Sequence, residues 1–125
     1  AQGVLTGKYK PGAKPPTGSR ATDKKSGAKM ISRWLRDEVL EAVQKLQPVA
    51  DSVSLTMSQL AIAWVLQNDN VSSAIMGATK PSQVKENVKA SGVKLDASVM
   101  KAIDSALGTL PERDPKQNIS PNPRA

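Results

Sequence analysis

Val71-Ser72-Ser73-Ala74-Ile75-Met76-Gly77-Ala78-Thr79-Lys80-Pro81 is the stretch on which the reading of this chain turns. Its first six residues have the length and composition of a short strand. Gly77 follows at once, and Pro81 offers the first position of a helix predicted to run to about Ala90. Ser91-Gly92 ends that helix, with Gly92 suited to the left-handed residue just past its end. A strand that feeds a helix N-terminus in this way belongs to a parallel, doubly covered α/β sheet. One strand cannot make a sheet, so the chain reads as a piece of a larger α/β protein.

Outward from that stretch, the pattern is helical. Thr56-Met57-Ser58-Gln59 fits a capping box and predicts a helix over 56–68, with Met57, Leu60, Ala61, Trp64 and Val65 as its stripe. Ala61–Val65 is apolar nearly all round, which predicts burial on more than one side. Val39, Val43, Leu46, Val49, Ala50 and Val53 recur at spacings of three and four and predict a helix over 37–53. Asp37 and Glu38 suit the positive end of its dipole, and Pro48 should kink or divide it. Asp96 should cap a further helix over 96–107, closed by Gly108. Residues 1–30, broken by Gly3, Gly7, Gly12, Gly18, Pro11, Pro15 and Pro16, read as one long loop, with 31–36 leading into the first helix. Residues 109–125 hold four prolines and read as an extended tail. Asn118-Ile119-Ser120 matches the glycosylation sequon, which reads as chance in a chain with neither Cys nor a signal-like segment.

The 125 residues include no Cys, no His and no Phe, and Tyr9 is the one tyrosine. Disulfides, thiolate chemistry, the Ser-His-Asp triad and the usual zinc ligands are therefore excluded within the chain. No apolar run approaches the ~20 residues of a membrane span, and no signal-like segment is present, which points to a cytoplasmic protein. The charge is uneven. Residues 1–36 hold nine basic groups and one acid, a net +8, whereas the remainder holds nine basic and ten acidic groups, a net −1. Such asymmetry suits a phosphate ligand or a polyanion; a solvated loop whose lysines touch nothing accounts for it equally.

Chemistry concentrates around the strand-to-helix junction. Gly77 lets backbone come close to a ligand, Thr79 adds a hydroxyl, Lys80 adds a mobile positive charge, and the first-turn amides favour an anion. Gln83, Glu86 and Asn87 fall on one helix face at i, i+3 and i+4, where a carboxylate and two amides suit a purine edge. An ordinary strand–helix connection with a polar face explains the same residues.

Four motifs in order carry a resemblance: Ala1-Gln2-Gly3-Val4-Leu5-Thr6-Gly7-Lys8-Tyr9, Ser19-Arg20-Ala21, Thr56–Leu66 and Gly77–Asn87. Together they resemble the C-terminal part of an aldo-keto reductase, in the branch of bacterial general-stress reductases and potassium-channel β subunits. The resemblance implies an (α/β)8 TIM barrel with its site at the C-terminal ends of the strands. On it, residues 1–125 start just after strand seven: 1–36 form a basic loop over the cofactor, 37–108 hold helices and the last barrel strand, and 109–125 form the tail. A mostly helical segment with one or two barrel strands is expected, completed by an N-terminal part of the barrel.

The resemblance also implies NADP(H) as cofactor and carbonyl reduction by hydride transfer. The family's catalytic Asp, Tyr, Lys and His all lie upstream, so no catalytic residue is assigned here and the chain alone should be inactive. Gln2, Gly3, Leu5 and Lys8 match the loop over the pyrophosphate, and Arg20 matches a basic residue that closes on the cofactor. Thr79 and Gln83 match positions beside the adenosine phosphate, and Glu86 and Asn87 match the adenine contacts; Gly77 and Lys80, read above from the junction itself, complete the expected cofactor site. Many relatives carry Arg where Gln83 stands, so preference for NADP over NAD would rest on Thr79, Lys80 and nearby loop cations. A non-catalytic, cofactor-sensing subunit of the channel-β type is the alternative, and self-association is open. A basic nucleic-acid module is disfavoured by the lack of interleaved aromatics and of a recognition helix. No metal site is expected.

Overall fold

The computed structural model describes residues 1–114 and 116. Six α-helices appear among them: α1 Gly27–Ile31, α2 Asp37–Gln44, α3 Gln47–Ser52, α4 Met57–Leu66, α5 Pro81–Asn87 and α6 Ala97–Leu107. Short 3-10 turns lie at Val4–Thr6, Arg20–Thr22, Ser32–Trp34 and Val88–Ala90. The sequon and the last part of the expected tail lie outside the described residues.

Local chemistry sets most boundaries. The helix expected over 37–53 divides: α2 stops at Gln44 and α3 begins at Gln47, with Pro48 in its first turn. The proline ring would strike the carbonyl four residues back, that of Gln44, which is where α2 ends. The capping box of α4 forms in full. Gln59 N–H donates to Thr56 Oγ1 at 3.2 Å, and Thr56 N–H donates to Gln59 Oε1 at 2.9 Å. Pro81 opens α5, which tightens after Asn87 into the Val88–Ala90 turn, and Gly92 follows in the left-handed region at φ 76°. Asp96 Oδ1 accepts from Val99 N–H at 2.9 Å and from the Ser98 hydroxyl at 2.6 Å, capping α6.

Two expectations are corrected. Residues 71–76 form no strand, and no strand occurs among the described residues, so the segment is helical rather than α/β. Strand backbone needs a neighbouring strand to bond to, and none is here; Ile75 is 102% exposed as a result. The expected long loop over 1–30 also holds a helix. Asp23 carboxylate oxygens accept from Lys25 N–H and Gly27 N–H, both at 3.0 Å, and this carboxylate seeds α1.

That N-terminal stretch packs rather than floats. Val4, Tyr9 and Ile31 are buried in one core with Leu40, Val43, Leu60 and Ile103 of the helices and with Leu46 between α2 and α3. Side-chain amides tie the irregular segments down: Gln44 Nε2 donates to the carbonyls of Gly7 (3.3 Å) and Tyr9 (3.1 Å), and Gln67 Nε2 donates to that of Val93 (3.1 Å). An apolar cleft of about 190 Å³, lined among others by Leu5, Trp34, Val39, Leu60 and Trp64, stays open beside this core. No single helix among the described residues is long and apolar enough to cross a membrane.

Two tests follow. The Ser98 hydroxyl first, and then the Val99 amide, hold the Asp96 carboxyl below its ordinary value. A depressed folded value makes Asp96 stabilising above the ordinary carboxylate range, a contribution lost as pH falls through the folded value. Urea midpoints measured down to acid pH should therefore fall less steeply in Asp96→Asn than in wild type. The open cleft and bare Ile75 should make the 125-residue chain bind an apolar dye and self-associate in gel filtration. Ile75→Lys should reduce the self-association; a wild-type monomer with sharp, reversible unfolding would refute the expectation.

Candidate functional site

The sequence-predicted residues fall into two groups, both packed on α4. The first is built on a backbone kink. Gln2 and Gly3 have successive left-handed conformations, φ 55° and 88°, and Val4 anchors the following turn in the core. Leu5, half-buried, faces the apolar cleft. Arg20 Nη1 donates to Gln2 Oε1. The Lys8 ammonium folds back to 3.6 Å from where a Gly3 side chain would begin and lies 5.2 Å from the Tyr9 ring centroid. Gln2, Gly3, Lys8 and Arg20 are thus brought to one place across 18 residues of sequence.

Arg20 is placed by a residue that sequence reasoning missed. A Cβ on Gly27 would lie 2.6 Å from the Arg20 carbonyl oxygen and 2.9 Å from both Arg20 Cγ and Asp23 Oδ2. Glycine is needed there for close approach, because its φ is not left-handed. Gln44 was likewise missed; besides the two carbonyls it accepts from Lys10 Nζ and so fixes the backbone on either side of Lys8. No local pattern signals the role of either residue, since the deciding contacts, of Gly27 with Arg20 and of Gln44 with Gly7 and Tyr9, join residues more than one helical turn apart in sequence.

The field of this group is positive. Lys8, Lys10, Lys14, Arg20, Lys24, Lys25, Lys29 and Arg33 form no ion pair among the described residues, in which the first pair is Arg36–Glu38 at 2.7 Å. Arg33 instead stacks on Trp34, 4.8 Å from the ring centroid. The amides of Lys25 and Gly27 hold the Asp23 carboxyl below its ordinary value, so the one acid of the region is already engaged.

The second group lies on α5 and its approach. Gln83 Oε1 accepts from Thr79 N–H at 2.7 Å, from the Thr79 hydroxyl at 3.2 Å and from Lys80 N–H at 3.3 Å. A side-chain oxygen therefore sits where three donors converge. Glu86 Oε1 pairs with Lys89 Nζ at 2.7 Å, and the Glu86 main-chain carbonyl accepts from Gln59 Nε2 at 2.8 Å. Asn87 is half-buried and makes no hydrogen bond through its side chain among the described residues. Gly77 is exposed, has no left-handed φ, and a Cβ there would meet nothing within 4 Å. Nothing in the described chain requires that glycine.

No hydrogen bond or ion pair among the described residues joins the two groups. The Val4–Thr6 turn and α5 both pack on α4, which spaces them. Tyr9, 2% exposed with its hydroxyl unpartnered among the described residues, offers no accessible proton donor. No group of three acidic residues able to hold a metal ion occurs among the described residues.

Comparison with known proteins gives a consistent match. Residues 1–107 match the model of the aldo/keto reductase family. A probable voltage-gated potassium channel subunit beta of Arabidopsis thaliana is 44% identical over 115 residues, which is 90% of this chain and 34% of that protein. The corresponding protein of Oryza sativa is 40% identical over the same length, again 34% of it. A putative subunit of the same type from Schizosaccharomyces pombe is 41% identical over 112 residues, 32% of its length. The chain thus spans about a third of the relatives it matches.

The two glycines provide a test of the geometry. Gly27→Ala should overpack the Arg20 turn and cost about 1–3 kcal/mol in urea unfolding, whereas Gly77→Ala should leave stability unchanged.

Proposed function

The chain belongs to the aldo/keto reductase family, and on that premise we propose that it is the NADP(H)-binding, C-terminal part of a carbonyl reductase. The observation that carries this reading is the convergence of Gln2, Gly3, Lys8 and Arg20 in a region of unpaired cations. In the complete protein, Val71–Met76 would pair with neighbouring strands as a barrel strand, which the family fold implies and which would cover Ile75. The protein would act in the cytoplasm.

The residues fit such a cofactor. Donors at Thr79 and Lys80 already hold an oxygen acceptor, that of Gln83, and a phosphate oxygen is an acceptor of the same kind. Gly77 leaves open space with no demand from the chain itself. Lys8 and Arg20 would neutralise phosphate charge, and Glu86 and Asn87 would meet the adenine edge. When bound, such a cofactor would supply hydride chemistry toward an aldehyde or ketone. This chain supplies binding and orientation, because the proton-donating machinery of the family lies outside it.

A second reading, a non-catalytic cofactor-sensing subunit, is favoured by the names of the three relatives described above, each a probable or putative voltage-gated potassium channel subunit beta. Consumption of NADPH with a panel of aldehydes by the complete protein separates the two: turnover supports the reductase, and tight binding without turnover supports the sensor.

Glu86→Ala and Asn87→Ala should each weaken NADPH binding by about 1–3 kcal/mol, through the partner left unsatisfied. Arg20→Ala should act mainly on the release rate. Lys80→Ala should weaken NADPH more than NADH if Lys80 meets the 2′-phosphate. Nucleotide-fluorescence titration and stopped-flow release measure all four; unchanged NADPH affinity in the Glu86 and Asn87 variants would refute the placement.

A further inference from the structure

Helix α5 carries Gln83, Glu86 and Asn87, yet it has no buried residue of its own, and its apolar side chain Val84 is 43% exposed. Seven residues are too few for a helix to hold itself in water. Something else must set its position and its rotation about its own axis.

Gln59 is placed to do so. It is 6% exposed, and both ends of its amide are used. Oε1 accepts from Thr56 N–H at 2.9 Å and so completes the cap of α4. Nε2 donates 2.8 Å to the main-chain carbonyl of Glu86, 27 residues further along. This is a buried, directional tie between the rigid helix of the core and the very residue expected to meet the adenine. The Glu86 carboxylate is steadied separately by Lys89. A capping box accepts Glu as readily as Gln, so the cap does not explain why this position is an amide. The donor to Glu86 does, because a carboxylate has no N–H to give.

We propose that Gln59 is a positioning residue for adenosine recognition: its side-chain amide fixes the axial rotation of α5, and hence the direction in which Glu86 and Asn87 face. The proposal rests on the cofactor reading above and goes beyond it by assigning a role to a residue that touches no ligand. Gln67 supplies the internal control. It is another amide of the same helical region, tied to the Val93 carbonyl and Leu95 N–H at 3.1 Å each, away from Glu86.

The test uses the complete protein and three probes: NADPH, 2′,5′-ADP as the adenosine end alone, and reduced nicotinamide mononucleotide as the other end. Gln59→Glu keeps the acceptor for the α4 cap and replaces the donor to Glu86 by a carboxylate oxygen that faces the Glu86 carbonyl. It should weaken NADPH and 2′,5′-ADP by a common factor of about ten, the scale of one lost buried hydrogen bond, and leave the mononucleotide unchanged. Gln67→Glu should leave all three affinities unchanged even where it lowers stability. In the double variant Gln59→Glu/Asn87→Ala the two losses should fall short of additive, because Gln59 acts through the helix that carries Asn87. If Gln59→Glu does not fold, Gln59→Met takes its place in the same comparison. Wild-type 2′,5′-ADP affinity in the folded Gln59 variant, or strictly additive losses, overturns the proposal. Failure of the wild-type protein to bind NADPH or 2′,5′-ADP overturns the cofactor reading instead, and this proposal with it.

Discussion

Backbone polar groups that leave a helix must still find partners, and this chain has no sheet among its described residues to provide them. Glutamine side chains carry much of that work. Gln44 holds the Gly7–Tyr9 backbone against α2 and accepts from the Lys10 ammonium. Gln59 ties α4 to α5, and Gln67 ties the end of α4 to the Val93–Leu95 connection. An amide suits the task because it donates at one end and accepts at the other, so one side chain can serve a carbonyl and an N–H in different segments. The irregular parts of the molecule inherit their geometry from α2 and α4 through these bonds.

The arrangement separates stability from recognition. Apolar burial is concentrated where Val4, Tyr9 and Ile31 meet Val43, Leu60 and Ile103. Around that core, the candidate ligand-facing side chains Lys8 and Arg20 are exposed, and the short helix α5 buries no residue of its own. Such groups can change partners at low cost, which is what a surface that binds and releases a charged ligand needs. The unpaired cations fit that use, since a salt-bridged lysine would have to break one pair to make another.

The family's barrel and the helical segment described here are reconciled by the physics of strands. A helix closes its hydrogen bonds within itself, so α2 through α6 form wherever their caps and stripes allow. A strand closes its bonds only with a neighbour. Residues 71–76 have a strand's composition but lack a neighbour among the described residues, and Ile75 stands in solvent. The apolar cleft beside Trp34 and Trp64 is a second apolar surface left without cover.

The sequence by itself determined much of what depends on residues three or four apart. The Thr56–Gln59 box, the Asp96 cap, the break before Pro48 and the Pro81 start of α5 were all legible, because each is a bond or a clash within one turn. The charge asymmetry was legible because it is a sum. The family was legible from motifs in order. Tertiary structure alone decided that Arg20 meets Gln2, that Gly27 must be glycine because the Arg20 carbonyl lies against it, and that Gln59 reaches Glu86. Those contacts span 18, 7 and 27 residues, and no local period encodes them. They exist only once burial of the apolar stripes has brought distant backbone within hydrogen-bond reach.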